Sequence, residues 1–227
     1  NMKNSMPELV RPEFSVKDAS LLLEEHYGLC CTLKEFPGER DRNFLAQEKN
    51  GETYVLKISN SCETLEFLQV QHAALERSSK LLEPGRIPIV FPAKNGESLL
   101  RVSSADGSQH WMRLVRYVDG LPMAEYRPHT GEFLRELGRM CGIVTKALHE
   151  IPAPPPSHTL LWEMHNVQET LHEYMPWIKD EKLLGWVKKS LDLYSRTIEA
   201  LESKLRRGWI HNDFNDYNVL AVPKISG

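Results

Sequence analysis

The opening stretch of the chain repeats its apolar residues at helical spacing. Ser15 and Asp18 have the spacing of a capping box, and Gly28 offers a left-handed stop after the repeat. The pattern therefore predicts a helix from about Ser15 to Tyr27. Its apolar positions are Val16, Ala19, Leu22 and Leu23.

After this helix apolar and polar residues alternate, which predicts strands. One strand runs into the turn 37–42, a second strand begins near Asn43, and Asn50-Gly51 indicates a tight hairpin. In a third strand, 53–59, the alternation places Lys57 on the face opposite the most apolar residues. Those residues are Tyr54, Leu56 and Ile58.

A second helix is predicted after this strand, capped by Asn60 or Ser61 and running to about Ser78. Further extended segments are predicted around 89–93, 98–103 and 109–118. The order is a helix, three strands, a helix and at least two antiparallel strands. This order predicts an α+β lobe over residues 1–118.

The turn 119–122 breaks the strand pattern, and the chain beyond it is mainly helical. Apolar stripes predict one helix from Phe133 to about His149 and a longer one over 180–207. The buried side of the longer helix is expected at Leu184, Val187, Leu191, Tyr194, Ile198, Leu201 and Leu205. We therefore expect a second, mainly helical lobe over residues 119–227.

Composition and charge narrow the class of partner. The formal net charge of -3 argues against nucleic acid and slightly favours a cationic small molecule. The chain lacks an apolar run of membrane-spanning length and the h-region of a signal peptide, so we expect a cytoplasmic protein without a membrane partner. The four cysteines show no Cys-x-x-Cys spacing, which favours reduced thiols over a zinc site or a disulfide framework.

The most informative chemical pattern lies near the end of the chain. His211, Asp213 and Asn218 form a His-x-Asp-x-x-x-x-Asn skeleton ahead of a short Val-Leu strand. Phosphoryl transfer uses this set, with Asp213 as the catalytic base, Asn218 as a magnesium ligand and His211 as a hydrogen-bonding brace. A polar loop between a helix and a strand would contain the same residues without catalysis, so the preceding residues decide its meaning.

Candidate nucleotide contacts precede this motif in the order typical of kinases. Lys57 can point at the α- and β-phosphates, and Glu66 on the next helix is the carboxylate expected to orient it. Glu63 has capping-box spacing from Asn60, which explains it without catalysis. The turn 37–43 would cover the phosphates, and the strand end 114–118 would act as the hinge that contacts adenine. Their candidate contacts are Gly38, Arg40, Asn43, Arg116 and Val118.

Each of these contacts has a simpler interpretation as well. Lys57 alone could be a solvated lysine on a half-exposed strand, the turn 37–43 a plain hairpin turn, and the strand end 114–118 an edge strand leading into a loop. The functional interpretation depends on Lys57, Asp213 and Asn218 occurring together and in this order.

Together the segments resemble the aminoglycoside phosphotransferase and choline kinase superfamily, and within it the hydroxylysine kinase group. The resemblance implies a protein-kinase-like two-lobed fold, with a small antiparallel-sheet lobe that binds ATP and Mg²⁺. It also implies phosphate transfer to a small-molecule hydroxyl, with Lys57 on the α- and β-phosphates, Asp213 as base and Asn218 on the metal. The matching segments are 40–44, 54–60, 70–71, 113–115, Trp162 with 166–167, and 210–220.

Two features depart from the family pattern. The family's helix glutamate aligns near Gln69 rather than Glu66. The family also continues past a segment like 225–227 into Ile-Asp-Phe-Gly-Asp, whose first aspartate binds the metals. We therefore expect an incomplete helical lobe, weak magnesium binding and little activity from this chain alone. Apolar faces without packing partners would then be compatible with a homodimer.

The best substrate expectation is a hydroxylated amino acid or amino alcohol that resembles 5-hydroxylysine. A choline, ethanolamine, homoserine or aminoglycoside kinase is the nearest alternative, because only the pocket would differ. A non-catalytic nucleotide-binding or regulatory module is an alternative of another class. The candidate substrate contacts are Asp216, Trp162 and Glu163.

Overall fold

The computed structural model describes residues 11–38, 40–152, 166–206 and 208–222. Contacts divide the chain into two compact units. The first contains Asn1–Ile151 and His211–Gly227, and the second contains Pro152–Ile210. The predicted lobe boundary between residues 118 and 119 stays a prediction.

The first helix, α1, covers Val16–Tyr27 and confirms the sequence prediction at both ends. The Ser15 side chain accepts from the backbone N–H of Asp18, and the Asp18 carboxylate accepts from the backbone N–H of Ser15. Gly28 ends the helix at φ 73°, a left-handed conformation that glycine adopts without a steric penalty.

A six-stranded antiparallel sheet follows α1, with strand order β1-β2-β3-β6-β4 and β5 paired to β6. The register places Lys57 of β3 opposite Asn43 on β2 and opposite Arg113 on β6. The strands are β1 Cys31–Phe36, β2 Arg42–Glu48, β3 Thr53–Ile58, β4 Val90–Phe91, β5 Leu100–Ser103 and β6 Gln109–Arg116.

The hydrophobic core lies on the face of the sheet that carries α1. Leu23 of α1 is fully buried with Phe44, Leu56 and Met112 of the strands. Tyr54, Leu56 and Ile58 of β3 all belong to this core, so the alternation leaves Lys57 on the opposite face, as predicted.

Helix α2 covers Leu65–Leu81, and its predicted cap at Asn60 or Ser61 is wrong. Thr64 caps it instead, accepting from the backbone N–H of Phe67. Asn60 is occupied elsewhere, because its side-chain amide donates to Asp41 at 3.2 Å and its side-chain oxygen accepts from the N–H of Cys62 at 3.0 Å. These contacts hold residues 60–63 in a turn and delay the helix.

Two elements complete the first unit. Helix α3, Gly131–His149, is capped by Thr130 and matches its predicted end. An ion pair of 3.0 Å between Arg77 and Glu150 connects α2 with the end of α3. The short strands β7, Leu121–Pro122, and β8, Leu220–Ala221, pair antiparallel. The end of the described chain therefore lies beside the segment that follows the six-stranded sheet.

The second unit contains α4, Val167–Tyr174, a 3₁₀ turn at Met175–Trp177, and α5, Glu181–Thr197. The predicted single helix over 180–207 is wrong, because α5 ends at Thr197 and a 3₁₀ segment, Glu199–Lys204, follows. The Thr197 hydroxyl donates to the Leu193 carbonyl at 2.6 Å, a bond that competes with regular helix geometry.

The predicted apolar stripe of the second unit is only half-buried. Four of its members are half-buried on α5, and the last three are exposed beyond the end of that helix. The half-buried members are Leu184, Val187, Leu191 and Tyr194, and the exposed members are Ile198, Leu201 and Leu205.

Among the helices that the structure describes, none has the length and apolar character needed to cross a bilayer.

Candidate active site

A loop of local hydrogen bonds carries the His-x-Asp-x-x-x-x-Asn motif. The Asn215 side-chain oxygen accepts from the backbone N–H groups of Tyr217 and Asn218, at 2.9 and 3.0 Å. Such Asx turns fold a short polar segment back on itself without help from distant residues. Asn212 supplies the reversal before the turn, with a left-handed φ of 62°.

This turn brings Asp213 and Asn218 into direct contact. The Asn218 amide nitrogen donates to Asp213 Oδ2 at 2.7 Å and to the Asp213 carbonyl at 3.0 Å. The Asn215 amide donates to the other carboxylate oxygen, Oδ1, at 2.8 Å. Both Asp213 and Asn218 are exposed. The carboxylate is therefore oriented by two amides, and the role of Asn218 as a magnesium ligand stays a prediction.

His211 braces the start of the loop, as the sequence predicts. Its ring stacks on Phe214 at a centroid distance of 4.2 Å, and its Nδ1 accepts from the Asp213 backbone N–H at 3.3 Å. Desolvation lowers the pKa of His211, although the nearby Asp213 charge opposes the shift. A neutral ring keeps Nδ1 as an acceptor, so His211 can hold the loop without taking part in chemistry.

Backbone bonds then attach the loop to the segment after the sheet. The N–H of Ala124 donates to the Asp216 carbonyl at 2.9 Å, and that of Met123 donates to the Val219 carbonyl at 2.8 Å. At Gly120 an added Cβ would lie 2.9 Å from the Leu220 Cβ, so the close approach needs glycine. The side chain of Asp216 is exposed, and its predicted substrate contact stays a prediction.

A second concentration of charge surrounds Lys57 on the face of the sheet opposite the core. Lys57 is half-buried, and Arg113 directly opposite it on β6 is buried. Arg113 donates to the side-chain oxygen of Gln71 on α2 at 2.5 Å. Burial lowers the pKa of Lys57, with the Arg113 charge as the next cause, while Asp41 and Glu63 act in the opposite direction.

The carboxylates that act on Lys57 are therefore Asp41 and Glu63. Glu66, the partner predicted from sequence, is exposed in the first turn of α2. Glu63 precedes the Thr64 cap, so the capping-box explanation for it is wrong. It lies 3.9 Å from Arg40, and burial raises the pKa of its carboxyl group, with the Asp41 charge adding to the shift.

The predicted phosphate-covering turn is fixed by one side chain. The Asn43 amide donates to the Pro37 carbonyl at 3.1 Å. A Cβ on Gly38 would lie 2.2 Å from this amide nitrogen, so a side chain at Gly38 would displace the bond. Arg40 points toward Glu63 and so belongs with the charges around Lys57. These contacts shape the turn, and its role over phosphates stays a prediction.

The predicted hinge offers fewer free backbone groups than its length suggests. The N–H of Arg116 donates to the Ile89 carbonyl at 2.8 Å, and that of Tyr117 donates to the Thr53 carbonyl at 2.9 Å. The Arg116 side chain pairs with Glu52 at 2.8 Å. The predicted contact of Val118 with adenine stays a prediction. Trp162 and Glu163 lie outside the described residues.

Sequence reasoning missed three participants in the charge cluster, Asp41, Gln71 and Arg113. Arg113 carried a signal, since it is a charged residue inside the apolar run of β6, where burial without a partner would be costly. Over the described ranges, no group of three or more His, Cys, Asp or Glu residues could hold a metal ion.

Comparison with known proteins identifies the family of the chain. Residues 32–227 match the sequence model of the phosphotransferase enzyme family. A hydroxylysine kinase from Danio rerio is 23% identical over 235 residues, covering 96% of this chain and 64% of the relative. The chain thus spans just under two thirds of that relative's length.

Two solved structures share the fold. The microcompartment-associated aminopropanol kinase superposes with a TM-score of 0.68 at 18% identity, over 92% of this chain and 66% of its own. An amicoumacin kinase in complex with AMP-PNP, Ca²⁺ and Ami superposes with a TM-score of 0.55 at 9% identity, over 74% and 56%. The chain belongs to the phosphotransferase enzyme family and has a protein-kinase-like α+β fold.

Proposed function

We propose that this chain forms the nucleotide-binding part and the catalytic loop of an ATP-dependent kinase that phosphorylates a small-molecule hydroxyl. The observation that carries the proposal is the contact of 2.7 Å between Asn218 and Asp213. A carboxylate that is oriented by amides and still open to solvent is suited to accept a proton from a bound hydroxyl. The same turn presents the Asn218 amide oxygen beside it.

The residues divide the chemistry between them. Asp213 would accept the proton of the substrate hydroxyl. The hydroxyl oxygen would bond to the γ-phosphorus of ATP as the bond between that phosphorus and the leaving ADP breaks. Asn218 would hold Mg²⁺ through its amide oxygen, because its nitrogen is committed to Asp213. When bound, ATP supplies the phosphoryl group and Mg²⁺ neutralises the phosphate charge.

The cluster around Lys57 fits the phosphates of a nucleotide. Arg40 Nε, Arg113 Nε and Arg113 Nη1 are buried without a hydrogen-bond partner among the described residues. Buried positive groups of this kind favour a negative charge nearby, so the cluster is suited to an anion that binds at its more accessible members. Lys57 is less buried than Arg113 and would contact the α- and β-phosphates.

The names of two relatives support a substrate with a hydroxyl and an amine. Hydroxylysine kinase and aminopropanol kinase are both named for such compounds. A hydroxylated amino acid or amino alcohol is therefore the proposed substrate class, and its cationic amine would suit the exposed carboxylate of Asp216. Trp162 and Glu163 are proposed as further contacts from sequence alone.

Replacing the base tests the proposal in the complete protein. We expect Asp213→Asn to reduce ATP-dependent phosphorylation of amino alcohols by roughly a thousandfold and to leave ATP affinity nearly unchanged. Asp192→Asn, which alters an exposed aspartate of α5, is the control and should keep full activity. Turnover by Asp213→Asn at the wild-type rate would refute the assignment. ATP binding by the wild type without any turnover would favour the regulatory module instead.

A further inference from the structure

The charged groups on the Lys57 face do not balance. Three cations, Lys57, Arg40 and Arg113, lie among two carboxylates, Asp41 and Glu63. Arg40 approaches Glu63 at 3.9 Å, while both carboxylates act on Lys57 and on Arg113. The cluster therefore carries one positive charge in excess, and one of its cations, Arg113, is buried.

Arg113 is the cation that creates this excess, and its burial lowers the stability of the folded protein. It is 5% exposed and stands directly across from Lys57, a placement in which like charges repel. Its one described hydrogen bond is to Gln71, and its Nε and Nη1 are buried without a partner among the described residues. A buried arginine with unpaired donors lowers the stability of the protein, and nearby negative charges offset only part of that cost.

Without Arg113 the remaining charges would cancel. Lys57 and Arg40 would face Asp41 and Glu63, two cations against two carboxylates. Both carboxylates would then be available to neutralise Lys57, and its ammonium would gain little from an incoming phosphate. Arg113 competes for the same carboxylates and so prevents this closed arrangement.

We infer that Arg113 is a positioning residue that keeps the cluster one positive charge in excess, so that Lys57 remains available to a nucleotide phosphate. Arg113 is too deeply buried to touch the nucleotide itself, and Gln71 holds it against α2. It therefore acts through Lys57. This inference rests on the proposed function, because it assigns a role within the same nucleotide site.

Binding of ATP and of adenosine to the complete protein separates charge from packing. We expect Arg113→Met to weaken ATP binding about tenfold, as loss of one nearby positive charge would, and to leave adenosine affinity unchanged. Arg101→Met is the matched control, since Arg101 lies exposed over Trp111 on the neighbouring strand β5. It should change neither affinity. An equal loss for ATP and adenosine in Arg113→Met would show a merely structural role and overturn the inference.

Restoring the charge excess gives the sharper test. Glu63→Gln removes one carboxylate, so the double variant Arg113→Met with Glu63→Gln has the wild-type excess again. We expect the double variant to recover most of the lost ATP affinity. A folded double variant that binds ATP no better than Arg113→Met would refute the charge argument.

A single variant keeps the inference testable if Arg113→Met does not fold. Glu63→Gln alone raises the excess to two charges, and we expect ATP affinity to rise a few-fold, by roughly the same Coulombic effect in reverse. A fall in ATP affinity would mean that Glu63 supports Lys57 directly, and the inference would be wrong.

Lys57→Met distinguishes failure of this inference from failure of the proposed function. If Lys57→Met weakens ATP binding and Arg113→Met does not, the nucleotide site stands and the role of Arg113 falls. If the wild type binds ATP no more tightly than adenosine, or Lys57→Met keeps full affinity, the proposed nucleotide site itself is wrong.

Discussion

The charge cluster around Lys57 and the loop that carries Asp213 belong to one compact unit but are built in opposite ways. The cluster is largely buried and collects residues from positions 40 to 113, joined by the pairing of β3 with β6 and by contacts to α2. The loop is exposed and made of side-chain bonds within residues 211–218.

This difference separates stability from activity. Changes on either face of the sheet should alter the free energy of unfolding, because residues that are distant in sequence pack together there. Changes in the loop should alter turnover and leave the fold intact, because its bonds are local and solvent is already present.

The largest effect is expected in the core beneath β2 and β3. Phe44 is fully buried, and Phe44→Ala should lower the free energy of unfolding by about 4 kcal/mol. Phe214, at 40% exposed in the loop, is the comparison, and Phe214→Ala should cost less than about 1 kcal/mol. Urea unfolding of both variants measures the difference. Equal losses would mean that the loop is part of the folding core.

Much of this core could be predicted from the sequence because its signals are local. Helix α1 carries its own cap and stop, and Asn50-Gly51 closes the β2–β3 hairpin where predicted. In β3, Tyr54, Leu56 and Ile58 belong to the core, and Lys57 lies on the other face of the sheet. In such segments the nearest neighbours in sequence decide the backbone, so a pattern is sufficient.

The next effect concerns turnover in the loop. We expect Asn218→Ala to reduce phosphate transfer by about a hundredfold, because Asp213 loses an orienting donor and the cation loses its ligand. The free energy of unfolding should change by less than about 1 kcal/mol. Asn95→Ala, in an exposed hairpin turn, is the control for an asparagine replacement. A large loss of stability in Asn218→Ala would break the contrast between loop and sheet.

The buried cluster should also make stability depend on pH through His72. Burial, with the Arg113 charge as a second cause, lowers the pKa of His72 to about 4, from an ordinary value of 6.5. Below pH 6.5 the His72 side chain therefore binds a proton in the unfolded chain, whereas in the folded protein it binds one only near pH 4. The free energy of unfolding falls as pH drops through this window.

His72→Gln should remove that dependence. We expect the wild type to lose about 2 kcal/mol more than the variant between pH 6.5 and pH 4, after allowing for partial exposure of the ring. His172→Gln, at an exposed site of α4, should keep the wild-type slope. Parallel unfolding curves for the wild type and His72→Gln would show that the ring is more solvated than its neighbours indicate.

Sequence patterns could not supply the parts of the site that depend on distant residues. Asp41 engages Asn60 across nineteen positions and moves the start of α2, which also frees Glu63 for the charge cluster. Arg113 and Gln71 meet only because β6 pairs with β3 beneath α2. No spacing rule relates these positions. Sequence spacing alone therefore predicts Glu66 as the partner of Lys57, whereas the carboxylates that act on Lys57 are Asp41 and Glu63.

The smallest effect is expected at the start of α2, where it tests which residue caps the helix. Thr64 accepts from the Phe67 N–H, so Thr64→Ala should lower the free energy of unfolding by about 1 kcal/mol, the usual contribution of a helix cap. Ser61 is exposed in the preceding turn, and Ser61→Ala should cost close to nothing. If the two costs were reversed, the helix would begin at Ser61, one of the two caps that the sequence predicts.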